Sequence, residues 1–350
     1  MINQTAENSL DPKYIQQERD GLFMAGHNYW RQAHETYGHY IYGEHEGRLA
    51  VAVSLLLRHT AMLAGPPGGA KSTLAKNAYK IFTDVDAEDV ALVPTASSLK
   101  DYALVGGAVE SDNQDGQRER KQVYGIFRPG IKFGWLDEIN RVSSFALNSI
   151  LDLPESRGVK TVGGGFLELP GYMGSVSTLN PTDEEDGTFH LSKAITARHL
   201  AGAISGNDYT KEEKRLVRLQ KDPDGLSVPF TSSEALASLG NRLAEVGIEP
   251  AVEADLDSIE IKMRNYLKER YGLQEGLRLT KYLGAVTMAV TMMNKGNVDS
   301  INPANPEDSS NGRKVVNQAA RLVLATRVGA RASSNDLVAE FEEGYQKIAA

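Results

Sequence analysis

The run Gly65-Pro66-Pro67-Gly68-Gly69-Ala70-Lys71-Ser72 gathers the residue types needed to hold a polyphosphate. Small residues let backbone N–H groups come close to phosphate oxygens, and a lysine and a hydroxyl follow directly. In the pattern Gly, four residues, Gly, Lys, Ser/Thr, the lysine reaches the β- and γ-phosphates and the hydroxyl binds Mg²⁺. Here those would be Lys71 and Ser72. Ala70 stands where the second glycine is expected, so the pattern is missed by one methyl group. The expected ATP-binding residues are therefore Gly65, Pro66, Pro67, Gly68, Gly69, Ala70, Lys71, Ser72 and Thr73. A helix that starts here points its positive end at the same anion. The competing reading is a Gly/Pro turn that happens to precede Lys-Ser, and the flanking strand and helix weigh against it.

A second group lies at 131–140, IKFGWLDEIN, an apolar run that ends in two carboxylates. Asp137 would hold Mg²⁺ through water, and Glu138 would orient and polarise an attacking water. Mg²⁺ prefers oxygen ligands and keeps several waters, so Ser72 and Asp137 are enough protein for a metal site. A lone Asp-Glu is usually a solvated strand end. This one falls 66 positions after Lys71, about where α/β ATPases place theirs.

These residues need elements to position them. Residues 60–64 read as a short strand entering the Gly/Pro loop, and 71–81 as a helix. Residues 90–95 and 131–136 are further strands, and 143–153 is a helix with Val142, Ala146, Ile150 and Leu153 on one face. A hairpin is expected at 158–169 around Gly163-Gly164-Gly165, and 174–179 is a strand ending at Asn180. Farther on, Leu279, Leu283, Val286, Val290 and Met293 define an amphipathic helix. Residues 301–312 have the composition of a loop, 314–326 and 335–349 are helical, and Ser333 or Ser334 could cap the last helix. Three regions result: a polar His/Tyr-rich segment at 1–40, a parallel α/β domain at 41–210, and an all-helical region at 211–350 with a linker near 301–312.

The strings GPPGGAKS and Asp137-Glu138-Ile139-Asn140-Arg141 together resemble the MoxR-type AAA+ ATPases, in which Ala-Lys-Ser in the phosphate loop is familiar. Tyr42-Gly43-Glu44 is similar to the family's Gly-Gln/Arg-Glu opening of the domain. Leu179-Asn180-Pro181, with Gly187 and Leu191, is similar to its Gln-Asn-Pro…Gly…Leu stretch. The resemblance is specific over about residues 41–200 and weak beyond. It implies an AAA+ P-loop core, a parallel sheet flanked by helices, with a C-terminal helical lid. Asn180 matches sensor 1, which places the water and senses the γ-phosphate. Arg198, in Thr196-Ala197-Arg198-His199, matches the Asp-Arg-Phe arginine finger donated by a neighbouring subunit, although both flanking residues differ. Arg278 falls where the sensor-2 arginine of the lid would sit, near the nucleotide. Residues 96–108 resemble the insert that interrupts helix 2, and the 158–169 hairpin the insertion before sensor 1. In ring ATPases such loops face the pore or a partner. The activity implied is Mg²⁺-dependent ATP hydrolysis by a hexameric ring that remodels, matures or loads a cofactor into a protein client.

Bulk properties narrow the alternatives. The chain of 350 residues is long enough for about two domains, and its net charge of −8 disfavours a protein whose task is gripping nucleic acid. The absence of cysteine excludes disulfides and thiolate metal sites and suits a cytoplasmic location. Residues 1–20 are too polar for a signal peptide. The apolar run 49–64 is broken by Arg58, His59 and Thr60, so no membrane span is expected. His27, His34, His39 and His45 fit no zinc spacing and read as N-terminal packing or a docking surface. Residues 110–122 read as a solvated loop. Two other functions are considered. A non-hydrolysing nucleotide switch is disfavoured by the intact Lys71, Asp137 and Glu138. A DNA-directed motor is disfavoured by the acidic balance and by the lack of an activator-contact motif at 96–108.

Overall fold

The computed structural model describes residues 12–38, 45–94, 98–112, 118–181, 188, 190–205, 232–245, 250–294, 309–331 and 337–350. The readings placed on Tyr42-Gly43-Glu44, His39, Gly187, residues 96–97 and 301–308, and Ser333 or Ser334 lie outside them.

Five strands form one parallel sheet: β1 (Thr60–Ala64), β2 (Val90–Val93), β5 (Phe133–Leu136), β8 (Gly174–Leu179) and β9 (His199–Ile204). Their spatial order is β2-β5-β8-β1-β9. Every residue of β1 and β8 is buried, which is why these strands read as unbroken apolar or small-residue runs rather than as alternations. Register aligns Ala64 with Leu179 and Ile204, and Leu136 with Ser177. The carboxyl ends of β1, β5 and β8 therefore lie side by side. β1 sits between two strands that come much later in the chain. The connections leave in opposite directions at its carboxyl end, which is where open α/β sheets bind ligands.

Two antiparallel hairpins stand off the sheet. One pairs β3 (Gly107–Asp112) with β4 (Arg118–Val123), and the other pairs β6 (Gly158–Lys160) with β7 (Phe166–Glu168). A bridge between Gly107 and Val162 joins them. The stretch read as a solvated loop at 110–122 is thus largely strand. Glu110, Arg118, Arg120 and Lys121 are exposed, so the stretch lacks the alternation that marks a half-buried strand.

Among the described residues the helices are α1 (Pro12–Gly38), α2 (His45–Leu56), α3 (Lys71–Phe82), α4 (Asp101–Val105), α5 (Ser144–Asn148), α6 (Leu153–Ser156), α7 (Lys193–Thr196), α8 (Ser233–Glu245), α9 (Pro250–Tyr271), α10 (Leu277–Asn294), α11 (Ser309–Gly329) and α12 (Leu337–Ala349). The single helix expected at 143–153 is two short ones. Ser143 caps the first by accepting the Ala146 N–H, and Pro154 forces a fresh start at the second. α11 begins at Ser309, inside the stretch read as linker.

α2 packs on β1, β8 and β9, whereas α11 runs over β9 and β1. Two substitutions would disturb that last contact. A Cβ at Gly202 would lie 2.9 Å from the Thr326 methyl, and one at Gly329 would lie 2.7 Å from Ala64 Cβ. Arg321 fastens α11 to its neighbours. Its guanidinium bonds Glu46 of α2 at 2.5 Å and Glu342 of α12 at 2.5 and 3.0 Å, between the rings of Phe341 and Tyr345. α1 is apolar where it packs: Leu22, Phe23, Tyr29, Trp30 and Ala33 are buried, chiefly toward α10. His27 bonds the Met293 carbonyl and His45 stacks edge-on against Trp30, so both serve packing.

Candidate active site

The phosphate loop leaves β1 at Gly65 and enters α3 at Lys71. Its shape is set by close backbone contacts with the carboxyl ends of β8 and β9. The Gly65 N–H bonds the Leu179 carbonyl at 3.3 Å, and the Ser205 hydroxyl donates to the Gly69 carbonyl at 3.2 Å. Gly65 has φ 150°, and a Cβ there would run into the Ser205 carbonyl, so glycine is required. Ala70 adopts φ 54°, ψ 10°, the left-handed conformation in which the usual glycine costs nothing. An L-residue there costs roughly 1–2 kcal/mol. Lys71 is buried, and its ammonium donates to the Pro66 carbonyl at 2.7 Å, back across the loop.

The acidic pair meets this loop. Ser72 Oγ donates to Asp137 Oδ1 at 2.9 Å, and Thr178 Oγ1 donates to the same oxygen at 2.7 Å. The Thr178 hydroxyl also accepts the Glu138 N–H at 2.9 Å. Glu138 itself has φ 43°, ψ 51°, a strained turn that re-aims its side chain away from the strand direction. Its two oxygens are both engaged: Asn180 Nδ2 donates to Oε1 at 2.7 Å, and Arg141 pairs with Oε2 at 3.0 Å. Asn140 in turn donates to the Asn180 carbonyl at 2.9 Å. Lys71, Ser72, Asp137, Glu138 and Asn180 thus converge at neighbouring strand ends. Thr178, Ser205, Asn140 and Arg141 complete the site and were not picked out in sequence. Thr178 lies two residues before Asn180 on the same strand, so period-2 reasoning along β8 was the available signal.

A hydroxyl and a carboxylate 2.9 Å apart, both hard oxygen donors, fit Mg²⁺, whose other positions phosphate and water fill. Among the described residues, no group of three or more His, Asp or Glu side chains could form a self-contained metal cage. A cation here would depend on the nucleotide for the rest of its ligands.

Arg198 and Arg278 are elsewhere. Arg198 directly precedes His199, which is in register with Thr60 at the start of β1. It is bonded to Asp152 at 3.2 Å and to the Ala194 carbonyl at 3.2 Å. Arg278 forms a two-pronged ion pair with Glu155, at 2.7 and 2.9 Å, beside His59 and so before the same strand. The phosphate loop lies at the far end of β1, about 15 Å away at 3.3 Å per residue. The expectation that Arg278 touches the nucleotide of its own chain is therefore corrected: it sits at the opposite edge of the sheet, held there by Glu155. Arg198 lies at the same end of the sheet and is likewise remote from its own chain's phosphate loop.

A parallel sheet with a phosphate loop at its switch point, a carboxylate pair two strands away and an asparagine at the end of the strand between them defines a P-loop nucleotide hydrolase. Residues 60–199 match the family model of the AAA domain, dynein-related subfamily. The crystal structure of a "putative ATPase" from Cytophaga hutchinsonii shares the fold, with a TM-score of 0.64 over 94% of this chain and 98% of that one at 18% identity. No curated protein matches the sequence. The match over that segment supports ATPase activity in an AAA-type domain built on the parallel sheet, and the shared fold includes the C-terminal helical lid. Proteins of this class typically assemble as rings. Among the described residues no helix is long and apolar enough to cross a membrane.

Proposed function

We propose that the chain is a MoxR-type ATPase that works as a ring, hexameric by the family resemblance, and spends ATP on remodelling, maturing or loading a cofactor into a protein client. The observation that carries the hydrolytic reading is the single oxygen Asp137 Oδ1, bonded at once by the phosphate-loop Ser72 and by Thr178. It ties the two halves of the ATP site together. In this reading Lys71 leaves the Pro66 carbonyl for the β- and γ-phosphates, and the loop's N–H groups hold the same anion. Ser72 and Asp137 would hold Mg²⁺, which would supply neutralisation of the charge developing on the phosphates. Asn180 releases or reorients Glu138, whose freed oxygen takes a proton-sharing bond from the attacking water. Arg198 leaves Asp152, which keeps Lys160 at 2.8 Å as a counter-charge, and reaches the γ-phosphate of the adjacent subunit. Arg278 would approach the same neighbour.

The test is steady-state ATP turnover of the purified chain, with Lys71→Ala and Glu138→Gln alongside. Hydrolysis is expected to fall to background in both, with ATP binding retained only in Glu138→Gln. Equal, background-level rates in all three would refute the hydrolytic reading. The client would be sought as protein retained by Glu138→Gln in the presence of ATP. Light scattering of the same ATP-bound variant tests the ring, and a monomer would remove the trans role of Arg198.

A further inference from the structure

We infer that Arg327 is a positioning residue that fixes the turn presenting Arg198 and links that turn to the chain's own phosphate loop. The inference rests on the reading of Arg198 as a group acting on the neighbouring subunit's ATP. Arg327 lies in the last turn of α11 and is wholly buried. Its Nη1 donates to the Thr196 carbonyl and to the His199 carbonyl, each at 3.1 Å. Those two carbonyls bracket Ala197-Arg198. The first belongs to the end of α7 and the second to the first residue of β9. Both ends of Ala197-Arg198 are thus held by one guanidinium, which restrains the backbone there more than the Arg198 side chain.

A second brace acts from the other side. His199 Nε2 meets Ser177 Oγ at 2.6 Å, and its Nδ1 meets the Ile195 carbonyl at 3.0 Å. The turn is thus pinned to β8 as well as to α11.

Arg327 also orders the second cation of this edge. Its Nε pairs with Glu275 at 3.1 Å, and the Glu275 side chain is only 8% exposed. Glu275 lies three residues before Arg278, just ahead of the start of α10. Burying a guanidinium costs several kcal/mol that one carboxylate repays only in part, so such a residue is a poor choice for stability alone. Specifying the geometry of two charged side chains at one edge is a better account of it.

The link to the nucleotide runs through the same helical turn. Two residues on, Gly329 packs on Ala64, which directly precedes Gly65 of the phosphate loop. Residues 327 and 329 are about 3 Å apart along a helix axis. One turn of α11 therefore touches the end of β1 that leads into the phosphate loop and, through the long Arg327 side chain, the turn that carries the finger offered to the next chain. A shift of the loop on hydrolysis has a rigid, short route to Arg198.

The experiment is a mixed-subunit ATPase titration. Arg327→Gln is expected to bind a fluorescent ATP analogue within about twofold of wild type. Its turnover should fall about 10–100-fold, the loss typical of a group misplaced by about 1 Å. Arg327→Lys, which keeps the charge, should recover part of the rate. Mixed with Glu138→Gln subunits, whose own sites are dead but whose Arg198 is intact, Arg327→Gln sites should regain turnover, so that the mixture exceeds the sum of its parts. A merely structural defect would not be rescued in this way. The companion mixture is Arg198→Ala with Glu138→Gln. If it gains nothing, the trans reading of Arg198 falls and this inference with it. If it gains while the Arg327→Gln mixture does not, or if Arg327→Gln alone turns over at the wild-type rate, the positioning role falls and the trans reading stands. Should Arg327→Gln fail to fold, Glu275→Gln, which leaves Arg327 in place, goes through the same titration and is judged by the same outcomes.

Discussion

Replacing Thr178 by valine removes one oxygen from the centre of the ATP site and changes little else, because the two side chains have similar volume and the position is buried. That oxygen makes two bonds, to the Asp137 carboxylate at 2.7 Å and to the Glu138 N–H at 2.9 Å. A hydrogen bond to a charged group is worth about 1.5–3 kcal/mol net, and a stranded N–H costs about 1–3 kcal/mol. The bonds themselves are only part-buried, so the lower ends apply, and the expected loss is about 2.5 kcal/mol. That is about a sixth or more of the stability of an ordinary domain. The N–H concerned belongs to Glu138, whose left-handed turn is strained and relaxes once the bond is gone. Turnover should therefore fall about 100-fold, with the ATP KM nearly unchanged, because the phosphate loop is untouched. Urea unfolding followed by fluorescence gives the first number and a coupled ATPase assay the second. Thr178→Ser keeps both bonds and should retain most of the activity. Wild-type turnover in Thr178→Val, or a Thr178→Ser variant as damaged as the valine, would refute the reasoning.

Ala70→Gly should stabilise the protein. Relief of the left-handed alanine gains about 1–2 kcal/mol and the freer unfolded glycine returns about 0.4–1, leaving roughly 0.5–1 kcal/mol in a chemical melt. A destabilised glycine variant would mean that the loop is not strained at 70. Acid should weaken the fold in a defined window. Burial pushes His199 down to about 4, and burial assisted by Lys281 does the same to His59. Both stay neutral in the folded state while the unfolded chain protonates near pH 6.5. Their contribution is complete above pH 6.5 and is lost as pH falls from there to 4, on the order of 3 kcal/mol for each. Urea midpoints between pH 7 and 4 should fall accordingly, and a flat profile would count against neutral burial of these rings.

What could be read in sequence was whatever chemistry forces into a short string. Gly65 to Ser72 and Asp137-Glu138 declare themselves because close phosphate approach and metal binding leave little choice of residue. β1 and β8 are legible because strands buried on both faces carry unbroken small and apolar runs. β9, His199-Leu200-Ala201-Gly202-Ala203-Ile204, is not, since glycine and alanine are poor strand formers and are there to admit α11 closely. The charged strand β4 was hidden by its solvation. Thr178 was missed because its role is to bond groups 40 or more positions away. Arg278 was misplaced for a related reason: motif order along the chain says nothing about which edge of the sheet a helix docks against, and Glu155 settles that through a contact across 123 positions.

The seat of α1 against α10 has a consequence for how the protein is made. Gly26 lies so close to Met292 that a side chain there would collide with it, and His27 bonds the Met293 carbonyl across 266 positions. A ribosome adding about 5–20 residues per second needs roughly 13–53 s to cover that distance. Through that interval α1 has emerged while the helix it packs against most does not yet exist. The apolar side of α1 is then a sticky segment on a nascent chain. Its exposure favours capture by a general chaperone, and high expression temperature should send this protein into aggregates during synthesis well below the temperature at which the finished fold melts.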